Sequence, residues 1–164
     1  SFLYRLKNPL TEVNIGLVGK YVELKDAYKS ISEAFIHAGA ATQCKVKIKW
    51  IHSEKLEDNP DCIQEELQGL NGILVAPGFG SRGIEGKIMA VRYARENKIP
   101  FLGICLGMQC AVIEFARNVL GYKDAHSVEM SASTTHPVID IMEEQKLIQN
   151  MGAMAFTGMR LFHH

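Results

Sequence analysis

The chain is predicted to be an α/β protein, an open and mostly parallel sheet with helices on both faces. Three observations carry this. Short apolar runs at 13–19, 72–76 and around Pro100 read as strands, and each leads into a segment with helical spacing of its apolar residues. The strands run out into turns: Gly19-Lys20-Tyr21, the glycine-dense residues 77–83, and Gly103-Ile104-Cys105-Leu106-Gly107. In such sheets the functional site lies beyond the carboxyl ends of the strands, where strand order reverses, so these three turns are expected on one edge.

Taken in order, residues 1–12 are mixed in character, contain Asn8-Pro9, and read as a linker; the domain is expected over 13–164. Val13 to Gly19 alternates and then turns apolar, a first strand. Asp26 is the expected N-cap of a helix over 27–38, which Gly39 should stop. Residues 45–51 alternate Lys with apolar side chains, the pattern of an edge strand guarded against further pairing. The charged stretch 53–68 is expected to hold a short helix, broken at Asn59-Pro60 and ended before Gly69. Next come the buried strand 72–76, the glycine loop, and a helix over 85–97 with Ile88, Val91 and Ala94 in a stripe. The strand before Cys105 follows, then a helix over 106–120 so apolar all round that it should be buried and central. Residues 122–135 read as loop and 136–141 as a strand; 142–164 have no clean period.

At 164 residues one domain with a sizeable core is expected. Basic and acidic residues balance at 18 each, so composition points to neither a nucleic-acid nor an acidic-membrane partner. No apolar run approaches the roughly 18 residues that span a bilayer, and the four cysteines (Cys44, Cys62, Cys105, Cys110) show no C-x-x-C pair or zinc spacing. No metal site is expected. With no export pattern at the start, reduced thiols in a cytoplasm are the simplest reading.

The chemistry centres on Cys105. A residue on a sharp strand-to-helix turn needs neighbours without side chains, and Gly103 and Gly107 supply them, as in the nucleophile elbow of serine hydrolases. A thiol there meets a helix N-terminus, which favours the thiolate, and the Leu106 N–H is placed to donate to an oxyanion. The bland reading is an inert core cysteine. Gly78-x-Gly80-x-x-Gly83 matches the dinucleotide fingerprint only weakly and follows the wrong strand; it makes more sense as an oxyanion loop, with a plain turn as the bland reading. Together the two turns point to acyl transfer by a thiolate. Such a thiolate wants a general base, and the six histidines (His37, His52, His126, His136, His163, His164) offer none singled out by position; His52-Ser53-Glu54 is the one His-x-acid arrangement.

Gly103-Ile104-Cys105-Leu106-Gly107-Met108-Gln109 resembles the nucleophile motif of the class I (triad) glutamine amidotransferases. Matching segments run from about 13 to 141. They include Gly16-Leu17-Val18-Gly19-Lys20-Tyr21, Asp26-Ala27-Tyr28, Pro77-Gly78-Phe79-Gly80, Glu85-Gly86-Lys87, and Glu114-Phe115-Ala116-Arg117-Asn118. They are most similar to the branch of the family whose glutaminase domain feeds ammonia to an ATP-dependent synthetase domain that aminates UTP to CTP. The resemblance implies a flavodoxin-like fold, with Cys105 as nucleophile and Gly78 and Leu106 as backbone oxyanion donors. It implies that Gly78, Phe79, Leu106, Gln109 and Glu129 bind glutamine, Glu129 through the α-ammonium. It places Lys20, Tyr21 and Arg82 at the interface with the synthetase domain. No cofactor is implied in this domain; ATP and Mg belong to the synthetase domain, through which a homo-oligomer is expected.

The family carries its base in a His-Pro-Glu segment near the C-terminus. Here His136-Pro137 is followed by Val138 and comes too early, so the role does not transfer to it. Gly152-Ala153-Met154 and Gly158-Met159-Arg160-Leu161 look like a displaced version of another family segment. The expectation is therefore a glutaminase domain lacking its C-terminal part, with the synthetase domain that would precede residue 1 absent. A catalytically silent glutamine-binding or regulatory module of the same fold is the alternative. A third reading, a different cysteine enzyme or a flavin binder on a similar fold, is opposed by Leu106-Gly107-x-Gln109 and by the lack of a hydroxyl-rich phosphate loop after the first strand.

Overall fold

A computed structural model of the chain describes residues 1–23, 25–141 and 159–161. These divide into two compact units, 1–110 and 111–164.

The first unit holds the expected sheet. Strands β1 (Thr11–Gly19), β2 (Cys44–His52), β3 (Gly72–Val75) and β4 (Phe101–Gly103) lie in the order β2-β1-β3-β4, all parallel. Helix α2 (Lys29–Thr42) connects β1 to β2, and α5 (Ile84–Glu96) connects β3 to β4. The two connections step outward from the central β1–β3 pair in opposite directions. Right-handed crossovers then put their helices on opposite faces and open a crevice at the carboxyl ends of β1 and β3.

One core cluster joins Leu17 of β1, Tyr28, Leu74 of β3 and Ala76, with Ile31, Phe35, Ile48, Trp50 and Ile104 packed around it. The Tyr28 hydroxyl accepts from the N–H groups of Lys20 (3.1 Å) and Tyr21 (3.4 Å), which pins the turn after β1. A side chain at Gly19 would collide with that hydroxyl, its Cβ only 2.5 Å away.

β2 is the edge strand the lysine alternation predicts, and Lys47 pairs with Glu12 on β1 at 2.6 Å. The stretch after it forms two short helices, α3 (Ser53–Asp58) and α4 (Ile63–Leu67), separated by a 3-10 turn at Pro60–Cys62.

Several expectations are corrected. Within 1–12, read as a linker, Phe2–Lys7 forms a helix, α1, which lies on α2 through the Phe2–His37 ring pair at 5.2 Å. Strand β1 already starts at Thr11. Asp26 does not cap α2; it sits in a preceding 3-10 turn, and the N-cap is Tyr28. Gly39 does not stop α2. It is buried within the helix because a Cβ there would lie 2.6 Å from the Cys44 carbonyl oxygen. Gln43, at φ 54°, ends the helix in the left-handed position glycine usually fills.

Helix α6 (Leu106–Asn118) forms as expected but is not buried all round. Leu106, Cys110, Ile113 and Ala116 are buried, whereas Met108 (40%) and Phe115 (49%) are exposed. Its apolar composition hides an ordinary one-sided helix.

In the second unit β5 (His126–Ser127) pairs in parallel with β6 (Pro137–Ile141), and β6 pairs antiparallel with β7 (Met159–Leu161). Residues 122–135, expected as loop, thus contain a strand, but one of two residues is too short to show alternation. Gly152-Ala153-Met154, Gly158, His163 and His164 lie outside the described residues. Among the described residues no helix is long and apolar enough to cross a membrane.

Candidate active site

The elbow at Cys105 is built by close contact. Ile104 donates from its N–H to the Val75 carbonyl at 3.1 Å, which extends the β3–β4 pairing by one residue before the chain turns. Cys105 then takes φ 52°, in the left-handed region, and its residue is exposed. A Cβ on Gly103 would stand 2.5 Å from the Gly107 carbonyl carbon, and one on Gly107 would stand 2.1 Å from the Val75 carbonyl oxygen. Both glycines of the motif are therefore required by packing, for the reason the spacing suggests. Cys105 closes the first turn of α6 by accepting from Met108 (3.0 Å) and Gln109 (3.2 Å) at its carbonyl. Leu106 is the first residue of α6, so its N–H has no acceptor within the helix.

The glycine loop lies beside this turn. Ala76 donates to the Val18 carbonyl at 2.9 Å, continuing the ladder to β1, and Pro77 has no N–H to give. Gly78 thus carries the first N–H of the loop beyond the sheet. A Cβ on Gly78 would be 3.7 Å from the Leu106 side chain, so the two residues implied as oxyanion donors are neighbours. Phe79 points into solvent, 88% exposed. Gly83, at φ 76°, caps α5, whose Glu85 N–H is taken by Glu57 of α3 at 3.0 Å. Arg82 pairs with Glu54 at 2.8 Å, and the Lys20 ammonium lies 5.7 Å from the centre of the Tyr21 ring.

Gln109 projects from the first turns of α6 and is buried, with its Oε1 lacking a partner among the described residues. A buried amide oxygen without a donor is costly unless something brings one. Glu129 lies in the second unit, exposed, in a turn where its N–H donates to the Ser127 hydroxyl at 3.3 Å.

The histidines separate by place. His37 is exposed on α2. His52 ends β2, three strand spacings or roughly 14 Å across the sheet from β4, and its Nε2 is 3.3 Å from Glu23. His126 accepts from the Ser127 N–H at Nδ1, and His136 pairs with Asp124 at 2.5 Å. One group carries no signal of its own in the sequence: Lys87, within the Glu85-Gly86-Lys87 segment, is 1% exposed and reaches the loop from α5.

The chain matches the family model described as glutamine amidotransferase class-I over residues 23–159. It is 70% identical to a CTP synthase of Cytophaga hutchinsonii, over 96% of this chain and 29% of that protein. A CTP synthase of Methanocaldococcus jannaschii is 61% identical over 96% of the chain and 30% of its own length. The chain therefore spans about three-tenths of these relatives. Among solved structures, the glutaminase domain of Trypanosoma brucei CTPS with bound acivicin superposes with a TM-score of 0.75. That match is 45% identical and covers 80% of this chain and 50% of the other.

Proposed function

This chain belongs to the class-I glutamine amidotransferase family, and from that premise we propose that it hydrolyses glutamine through a thioester on Cys105. The ammonia released serves an ATP-dependent synthetase domain of the same polypeptide, which aminates UTP to CTP. The observation that carries the reading is the positive φ of Cys105 on the β4–α6 elbow, beside Gly78 and Leu106.

The Cys105 sulfur attacks the side-chain carbonyl carbon of glutamine. The C–S bond forms as electrons move onto the carbonyl oxygen, which faces the N–H groups of Gly78 and Leu106. The tetrahedral species collapses, the C–N bond breaks, and ammonia leaves with the proton the thiol gave up. Water then cleaves the thioester to glutamate and restores the thiol. Gln109 offers its unpartnered oxygen to the substrate. Phe79 borders the pocket, and Glu129 holds the α-ammonium; both roles rest on the family resemblance. The general base is not assigned to any described histidine.

The residues from β1 onward act as the glutaminase domain, and those before it as the connection to the synthetase domain. ATP and Mg belong to that domain, and it carries the homo-oligomer contacts. Lys20, Tyr21 and Arg82 face it, in a cytoplasmic enzyme. Support comes from the CTP synthase relatives and from the edge these residues share at the strand ends.

The test is the intact mass before and after incubation with a diazo-ketone analogue of glutamine. One adduct, mapped to Cys105 and prevented by excess glutamine, is expected. Cys105→Ala should reduce glutamine hydrolysis to the rate without protein, while the full-length protein still makes CTP from added ammonium. Glutamine hydrolysis surviving in that variant would overturn the assignment. Glutamine binding with neither adduct nor ammonia would favour the silent module.

A further inference from the structure

Lys87 has no part in the proposed reaction, yet it is a buried lysine beside the groups proposed to carry it. It sits on the first turn of α5 at 1% exposure, and its Nζ donates to the Ala76 carbonyl at 3.1 Å. A Cβ built on Gly78 would be 3.2 Å from that same Nζ. The ammonium therefore lies against the loop between the end of β3 and Gly78, on the same side of Gly78 as the Leu106 side chain. Burying a cation here is expensive, and a methionine would fill the volume at far lower cost. The charge needs a reason, and its position supplies one.

We propose that Lys87 is the positioning residue of the oxyanion loop: by holding the Ala76 carbonyl, it fixes the Gly78 peptide with its N–H toward the acyl oxygen. The inference rests on the thioester reading of Cys105. Three features make the link local. Ala76 is locked on its N–H side by Val18, so only its carbonyl side is left for Lys87 to set. Pro77 adds a rigid step with no donor of its own. Gly78 has no side chain to steady it, and a loop that must present one N–H within a few tenths of an ångström gains from an outside anchor. The cation against the loop also adds favourable potential where negative charge develops. Burial holds the Lys87 pKa below the ordinary lysine range and Lys20 pushes the same way, while the thiols of Cys110 and Cys105 oppose.

The experiment compares wild type and Lys87→Met in the full chain, with rates expressed per mole of reactive Cys105. Two reactions of that thiol are timed: thioester formation from glutamine, which passes through an oxyanion, and alkylation by iodoacetamide, a displacement at carbon that does not. The expected result is a thioester rate lower by on the order of 10- to 100-fold, a KM for glutamine changed by less than about threefold, and unchanged alkylation. Equal loss of both reactions would overturn the proposal in favour of an effect on the thiol itself, and no loss of either would overturn it outright.

Should Lys87→Met fail to fold, wild type alone decides. Thioester formation should fall at alkaline pH as Lys87 loses its proton, while alkylation does not; a parallel course for the two would overturn the proposal. A wild type that forms no thioester at all would instead reject the reading of Cys105 on which this rests.

Discussion

Cys105 stands in a conformation that an L-residue adopts only at a cost, of about 1–3 kcal/mol. Because its side chain is exposed, little packing offsets that cost. Cys105→Gly should therefore be more stable than Cys105→Ala by about 1 kcal/mol, measured by denaturant unfolding, with both unable to form a thioester. An equal or reversed order would mean that the elbow is relaxed. Asp124 presents a different balance. Hydrogen bonds from the Thr135 hydroxyl and from His136, then the Thr135 N–H, hold its carboxyl well below the usual carboxylate range. A carboxyl depressed in the folded state contributes stability that is present above its unfolded value, near pH 4, and is lost as pH falls further. Asp124→Ala should lower the melting temperature at pH 7 and flatten its decline below about pH 4; an unchanged acid limb would contradict the sign. Tyr122 stacked on His136 at 4.7 Å marks the same junction of 122–124 with 134–136.

At the scale of elements, glycine sets how closely helices approach their neighbours. A Cβ at Gly86 on α5 would lie 1.9 Å from the Ser53 carbonyl oxygen on α3, closer than any packing tolerates. Alanine is a better helix former by about 1 kcal/mol, so propensity alone predicts that Gly86→Ala stabilises. The contact reverses the sign, and a net loss of about 2–3 kcal/mol is expected, read from the denaturation midpoint. The α3–α5 contact also orders the loop at the site, since Glu54 holds Arg82 and Glu57 holds the Glu85 N–H. Glu57→Ala should cost about 1 kcal/mol and slow the glutamine reaction more than iodoacetamide alkylation. A loss of stability with both reactions untouched would confine Glu57 to the fold.

At the scale of the whole molecule, four parallel strands in the order β2-β1-β3-β4 bring the turn after β1, the glycine loop 77–83 and the turn at Cys105 to one edge of the first unit. That convergence was legible in the sequence because it depends only on strand order of appearance and the rule for parallel sheets. So was Gly-x-Cys-x-Gly, whose spacing is a local steric demand of a turn. Gly39 was not legible as a contact residue: a glycine near a helix end reads the same whether it stops the helix or lets a strand approach. Nor was the exposed face of α6, since Met108 and Phe115 are as apolar as the buried Cys110 and Ile113, and only neighbours decide which side is covered. Most strands and helices of the first unit and the family were readable along the chain, because each is written in local pattern or in motif. Only the fold shows that Lys87 reaches the Ala76 carbonyl at the glycine loop, that His52 stands three strands from β4, and that Gln109 Oε1 has no partner among the described residues. Those depend on which distant residues meet, and periodicity along a chain carries no record of that.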